Sequence, residues 1–199
     1  MIELAYDARL DDEPPDDGAL RLPPGDRSLA GGTHEGGDFM FAQLAGVDLS
    51  EADLYWATFH EATLEGAVMA RCDLRGARFD RANLRGADLR QANCGLDNLG
   101  GTTDFIGADL SGANLSRAAI GGADFTGALL VGANLSGVRG ASAPHASTCF
   151  YGANLTGARL AGADLTGATY DSRTVFPRGF RPEQAGMVRR GEKKKKWAR

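Results

Sequence analysis

Residues 77–94 read ARFDRANLRGADLRQANC, and this stretch decides the fold. Ala77-Arg78-Phe79, Ala82-Asn83-Leu84, Ala87-Asp88-Leu89 and Ala92-Asn93-Cys94 are one triplet repeated every five residues. Upstream the register extends to Gly37-Asp38-Phe39 and downstream to Asp97-Asn98-Leu99, giving thirteen units. One residue is then inserted within Gly100–Thr102, and fourteen more units run from Thr103-Asp104-Phe105 to Ala168-Thr169-Tyr170. If the third residue of each triplet is its centre, 15 of the 27 centres are Leu, six are Phe, and only Gly140 and His145 are not apolar. Two residues earlier, 20 positions are Ala and Asp97 alone is charged. Asp or Asn stands between them in 15 units, and Gly recurs two residues after the centre, as at Gly66, Gly76, Gly86, Gly112 and Gly132.

A period of five fits neither regular element. On a helix, successive centres would fall about 140° apart and scatter around the cylinder. On a straight strand five is odd, so each centre would face away from the last. The centres share one interior only if the chain turns a corner in every unit. An extended triplet then points its Ala and its Leu or Phe inward and its Asp or Asn outward, with Gly near the corner supplying backbone angles that other residues avoid. The expectation is a solenoid of short sides and frequent turns, its coils stacked by backbone hydrogen bonds.

Composition agrees with one domain of 199 residues whose interior is built from small side chains, since 43% of residues are hydrophobic but only 8% aromatic. The 28 glycines follow no collagen period, and no run of 18 apolar residues marks a transmembrane helix. Three cysteines without close pairing argue against a disulfide scaffold and fit a reducing cytoplasm. Charge is uneven: residues 1–36 carry net −6, residues 37–170 net −5 and residues 171–199 net +7.

The A-[DN]-L-x-x units closely resemble those of the pentapeptide-repeat family, and the resemblance spans residues 37–170. It implies an all-β fold, a right-handed quadrilateral parallel β-helix with four units per coil and, here, about six to seven coils. Phe39, Phe59 and Phe79, 20 residues apart, would then stack on one side, as would Phe105 with Phe125. On this reading residues 1–36 are an acidic, partly flexible segment that offers an N-terminal cap through Ile2–Tyr6. Residues 171–199 hold a closing segment, with Phe176 and Phe180 over the last coil, and a basic tail disordered from Arg189. Two departures stand out. The break near 100–102 implies a bulge or small loop, and the degenerate stretch 136–149 is either a weakened coil or a protruding loop.

No catalytic motif or cofactor motif is present, and the reading is non-enzymatic. Cys72 and Cys94 occupy inward positions as small apolar fillers, and Cys149 points outward. His34, His60 and His145 lie far apart. The outward Asp and Asn are expected to solvate the rod and to bond along neighbouring coils. The candidate protein-contact surface is Arg71, Arg75, Arg78, Arg81, Arg85 and Arg90, with Arg139 and His145 of the degenerate stretch. Asp73, Asp80 and Asp88 would neutralise the arginine section locally, which argues against a nucleic-acid groove. Lys193, Lys194, Lys195, Lys196 and Trp197 are a candidate tail for weak attachment to anionic surfaces. The expected partner is a protein or a second copy of the chain. The resemblance also supplies an alternative, because some family members imitate duplex DNA, bind DNA gyrase and protect it from inhibitors.

Overall fold

The computed structural model describes residues 28–141 and 146–190. Ile2–Tyr6, Asp11–Gly18, Pro144, His145 and the tail Lys193–Trp197 therefore lie outside the described residues.

Within them the chain winds as a four-sided parallel β-helix. Each side is a ladder of parallel bridges, and the ladders run Ser28–Arg159, Thr33–Asp164, Asp38–Thr169 and Gln43–Val175. They are called here the Asp48, Asp53, Thr58 and Thr63 faces. The middle residue of each unit makes the rung. The Asp53 amide donates to the Gly32 carbonyl at 2.9 Å, and the Asp53 carbonyl accepts from His34 at 2.7 Å. Between faces, the residue two after one centre is held in a turn, as where the Ala57 amide donates to the Leu54 carbonyl at 3.0 Å. The residue before the turn's last has positive φ, +57° at Trp56 and +64° at Gly86, which is the geometry of a type II turn. The alternating inward direction of the triplet and this repeated corner explain the period of five.

The interior is continuous. Ala42, Leu44, Leu84, Ala108 and Leu155 are all buried. Each fully buried Leu or Phe contributes about 1.5–3 kcal/mol relative to exposure. Under the Thr58 face, Phe39, Phe59, Phe79, Phe105, Phe125 and Phe150 form one column with ring centroids 4.8–5.2 Å apart and planes within 10° of parallel.

That column runs through both irregularities, the first of which differs from the sequence expectation. Bridged residues are 20 apart as far as Asp73–Asn93, but Arg78 pairs with Asp104, 26 residues on. The insertion is thus six residues rather than one. Asp97-Asn98-Leu99 is not a unit of the coil, for Leu99 is 84% exposed while Asp97 is buried. The triplet imitates the repeat, but a charged residue at its inward position cannot enter the apolar interior. Asp124 pairs with Cys149, 25 residues on, so five extra residues lie between Arg139 and Cys149. Residues 136–140 and 148–149 of the degenerate stretch stay in the coil, and the extra residues fall between them.

At the start, Ser28 and Thr33 already pair with Asp48 and Asp53, so the ladder begins upstream of Gly37. His34 takes the centre there, its ring edge-on to Phe39 with centroids 6.1 Å apart. At the far end β1 (Thr169–Tyr170) pairs in parallel with β2 (Val188–Arg189), and the Arg190 amide donates to the Tyr170 carbonyl at 2.7 Å. Arg189 is therefore part of a strand, against the expectation of disorder from that residue. Phe176 meets Tyr170 edge-on at 5.2 Å and stacks with Phe180 at 5.4 Å. Among the described residues no helix is long and apolar enough to cross a membrane.

Candidate functional site: the loop-bearing corner

The outward Asp and Asn act locally. Oδ1 of Asp48 accepts the Ser50 amide at 2.9 Å, and Asp53, Asp73, Asn83, Asp88, Asp109, Asn114 and Asp124 do the same two residues on. These are Asx turns, which satisfy the first amide of each corner. A bond between neighbouring coils is made by Asn134 to Asn114, at 3.1 Å. The expected bonding along neighbouring coils is thus seen at Asn134–Asn114, while most of these short side chains turn to their own corner, which they reach more easily than the next rung.

The six arginines of the candidate surface are distributed around the rod. Arg71 and Arg90 share the corner between the Asp48 and Asp53 faces, while Arg75 lies at the next corner and Arg78 on the Thr58 face. Arg81 and Arg85 take the other two corners. Each has a carboxylate: Arg71–Glu51, Arg75–Asp73, Arg78–Asp80, Arg81–Glu61, Arg85–Asp109 and Arg90–Asp88, at 2.5–3.4 Å. Arg139 is exposed on the Asp53 face, at the root of the second loop.

Both insertions leave the rod at one corner, between the Asp53 and Thr58 faces. The first is organised by Asp97. Its Oδ2 accepts from the Tyr55 hydroxyl at 3.1 Å and Trp56 Nε1 at 2.9 Å, and its Oδ1 from the amides of Leu99 at 2.8 Å and Gly101 at 2.5 Å. Burial pushes this carboxyl up, but the Gly101 and Leu99 amides and the two aromatic donors outweigh it and hold the carboxyl below its ordinary range. Glycine is required beneath: a Cβ on Gly101 would lie 2.7 Å from the Trp56 ring, and one on Gly76 3.0 Å. The Arg75 guanidinium sits 5.4 Å above the Tyr55 ring while its Nε donates to Asp73 at 2.8 Å. Trp56 stays half exposed, and Leu99 projects at the tip.

One rung beyond, Gly121-Gly122 is gripped from both sides. A Cβ on Gly122 would meet Leu96 of the first loop at 2.8 Å, and one on Gly121 the Ala141 carbonyl of the second at 2.9 Å. The first loop and the described ends of the second, Ala141 and Ala146, thus meet over this glycine pair. Each re-enters the coil through an inward threonine where Ala is the rule. Thr103 donates to the Leu74 carbonyl at 2.7 Å, and Thr148 to the carbonyls of Ile120 at 2.8 Å and Gly140 at 3.0 Å.

Among the described residues the cysteine thiols are held in the protonated form. Burial pushes the Cys72 thiol up to about 12 and the Cys94 and Cys149 thiols upward. Cys149, which the sequence places facing outward, is half-buried and near the Ser147 carbonyl at 3.2 Å. His60 lies against Glu61 at 3.4 Å. Among the described residues no three His, Cys, Asp or Glu converge as a metal site. Tyr55, Trp56, Asp97 and Leu99 escape sequence reading as a site. The available signals were Trp56 in a glycine position and the lone inward charge of Asp97.

Comparison with known proteins gives a consistent answer. Among solved structures, HetL of the cyanobacterium Nostoc sp. strain PCC 7120, a pentapeptide repeat protein involved in regulating heterocyst differentiation, is 28% identical, with 84% of this chain and 73% of that chain covered and a TM-score of 0.35. The pentapeptide repeat protein alr5209 of the same cyanobacterium is 33% identical over 67% of this chain and 84% of that chain, with a TM-score of 0.34. QnrB1, a plasmid-mediated fluoroquinolone resistance protein, is 22% identical over 78% of this chain and 86% of that chain, with a TM-score of 0.36. A search of curated proteins finds no match. The family model described as pentapeptide repeats matches residues 38–76, 57–93, 103–137, 120–143 and 148–169, more than half of the sequence. The chain belongs to the pentapeptide-repeat family.

Proposed function

We propose that this protein is a non-enzymatic scaffold, a right-handed rod of six to seven coils that binds a protein partner through its loop-bearing corner. One observation carries the reading: both insertions, separated in sequence by more than thirty residues, emerge at the same corner and meet across Gly121-Gly122. Insertions on a repetitive scaffold are where recognition is commonly placed. This corner joins an exposed Trp56 to Tyr55 and Arg75, the residue types that dominate binding energy at interfaces, and sets the apolar Leu99 beside them. The free thiols of Cys72, Cys94 and Cys149 suit a cytoplasmic setting.

The alternative, a DNA mimic that binds DNA gyrase or topoisomerase, has weaker support. Mimicry needs free carboxylates over the whole surface, whereas here many cap their own corners and six face arginines. A gyrase supercoiling assay tests it, with inhibition or protection by this protein favouring the mimic.

The scaffold reading is tested by affinity capture with the wild type and with Leu99→Glu and Trp56→Ala, followed by co-elution of the purified pair. A partner lost by both variants, with melting unchanged for Leu99→Glu, supports the corner. A partner retained by both variants overturns it.

A further inference from the structure

The corner between the Asp48 and Asp53 faces carries a second concave surface, separate from the loops. A groove of about 500 Å³ runs along it, lined by Arg71, Arg90, Gln91, Ser116, Arg117 and Ser136 together with Ala70. On four consecutive rungs the left-handed position of this corner is held by Glu51, Arg71, Gln91 and Arg117, with φ of 59–60°. An L-residue there costs about 1–2 kcal/mol, a strain that glycine at the same position avoids. Phe41, Glu61 and Arg81 accept the same strain at the corner between the Thr58 and Thr63 faces, so what singles out the present corner is the groove and the side chains that line it.

We propose that this groove binds a short, extended acidic peptide of a protein partner, with one peptide carboxylate paired to Arg117. Arg71 is already matched by Glu51 and Arg90 by Asp88, but among the described residues Arg117 makes no ion pair or side-chain hydrogen bond. One uncompensated guanidinium amid a carboxamide and two hydroxyls suits a carboxylate flanked by peptide amides. A polyphosphate would meet Glu51 and Asp88 along the same edge, and nucleic-acid affinity needs a series of uncompensated cations. From Ala70 to Ser136 the groove spans three rungs, roughly 14 Å, which is the length of about four extended residues.

The test uses the full chain and a fluorescein-labelled, acetylated and amidated hexapeptide of alternating glutamate and serine, followed by anisotropy at low salt. Saturable binding is expected, weakened about tenfold or more by Arg117→Glu, about twofold by Ser116→Ala, and unchanged by Arg178→Glu on the exposed C-terminal segment. Arg117→Gly separates binding from folding: it is expected to weaken the probe while raising the melting temperature. Absence of saturable binding, or an equal loss with Arg178→Glu, overturns the proposal. So does tighter Arg117-dependent binding of oligo-dT, which would assign the groove to nucleic acid. A gain in probe affinity on neutralising Asp11, Asp12, Glu13, Asp16 and Asp17 would make the chain's own acidic run the occupant, and would likewise overturn it.

Discussion

The corner between the Thr63 and Asp48 faces and the corner between the Asp48 and Asp53 faces make the same turn from different residues. The first uses Gly46, Gly66, Gly86, Gly112, Gly132 and Gly157, with φ of 64–70°. The second uses Glu51, Arg71, Gln91 and Arg117 at 59–60° on four consecutive rungs, with Gly31, Gly137 and Gly162 at 64–67° on the others. Space does not separate them, since a Cβ on Gly66, Gly86, Gly112 or Gly132 would meet nothing within 4 Å. Glycine at the first corner answers a torsional demand only. The second accepts the same demand with long polar side chains, and it is the one with a groove. In a repeat this regular, the positions that forgo the easiest residue are the informative ones.

Opening the interior on the face opposite both corners should have the largest effect. Phe105→Ala opens the middle of the phenyl column, and urea titration should show a loss of about 3–5 kcal/mol. Next is Gly86→Val, which brings a β-branched residue to φ +64° and should cost about 1–2 kcal/mol although its side chain meets open space. A neutral result there would mean that the two corners do not differ torsionally. The reverse exchange, Arg117→Gly, removes that cost but adds the chain entropy of glycine, for a net gain of about 0.5–1 kcal/mol read as a higher melting temperature. The smallest effect is an acid response at the C-terminal cap, against which neither corner should move. Burial pushes the Asp171 carboxyl up, but the Gly152 amide, Arg173 and Thr174 outweigh it and bring the carboxyl from an ordinary 3.8 to about 2. A depressed folded value means that its contribution is complete above about pH 4 and is lost as pH falls toward 2. The protection factor of the Arg190 amide, bonded to the Tyr170 carbonyl, should fall over that window while that of the Leu84 amide holds.

The sequence carried the solenoid, the inward Ala and Leu, the glycine at corners and the stacking of Phe39, Phe59 and Phe79, because each follows from a local rule repeated many times. The first insertion was misread because Asp97-Asn98-Leu99 obeys the outward half of that rule. Counting one extra residue sets Phe79 and Phe105 on different faces, whereas requiring the phenyl column to continue gives six. Asp97 was the residue that should have decided it. The convergence of both loops on one corner was not legible, since it depends on the phase that the first insertion leaves behind. The arginines were legible as residues but not as an arrangement. Their spread around the four sides and their pairing across rungs, as between Arg71 and Glu51 twenty residues apart, appear only once the coil is closed.

The threonine re-entry point of the first loop has an engineering consequence. Because Thr103 restarts the winding in phase by donating to the Leu74 carbonyl, the exposed tip Asn98–Gly100 need not follow the lattice. Exchanging Asn98–Gly100 for foreign peptide segments, while Asp97 and Gly101 stay as the clasp, should give a display platform whose melting behaviour barely depends on its cargo.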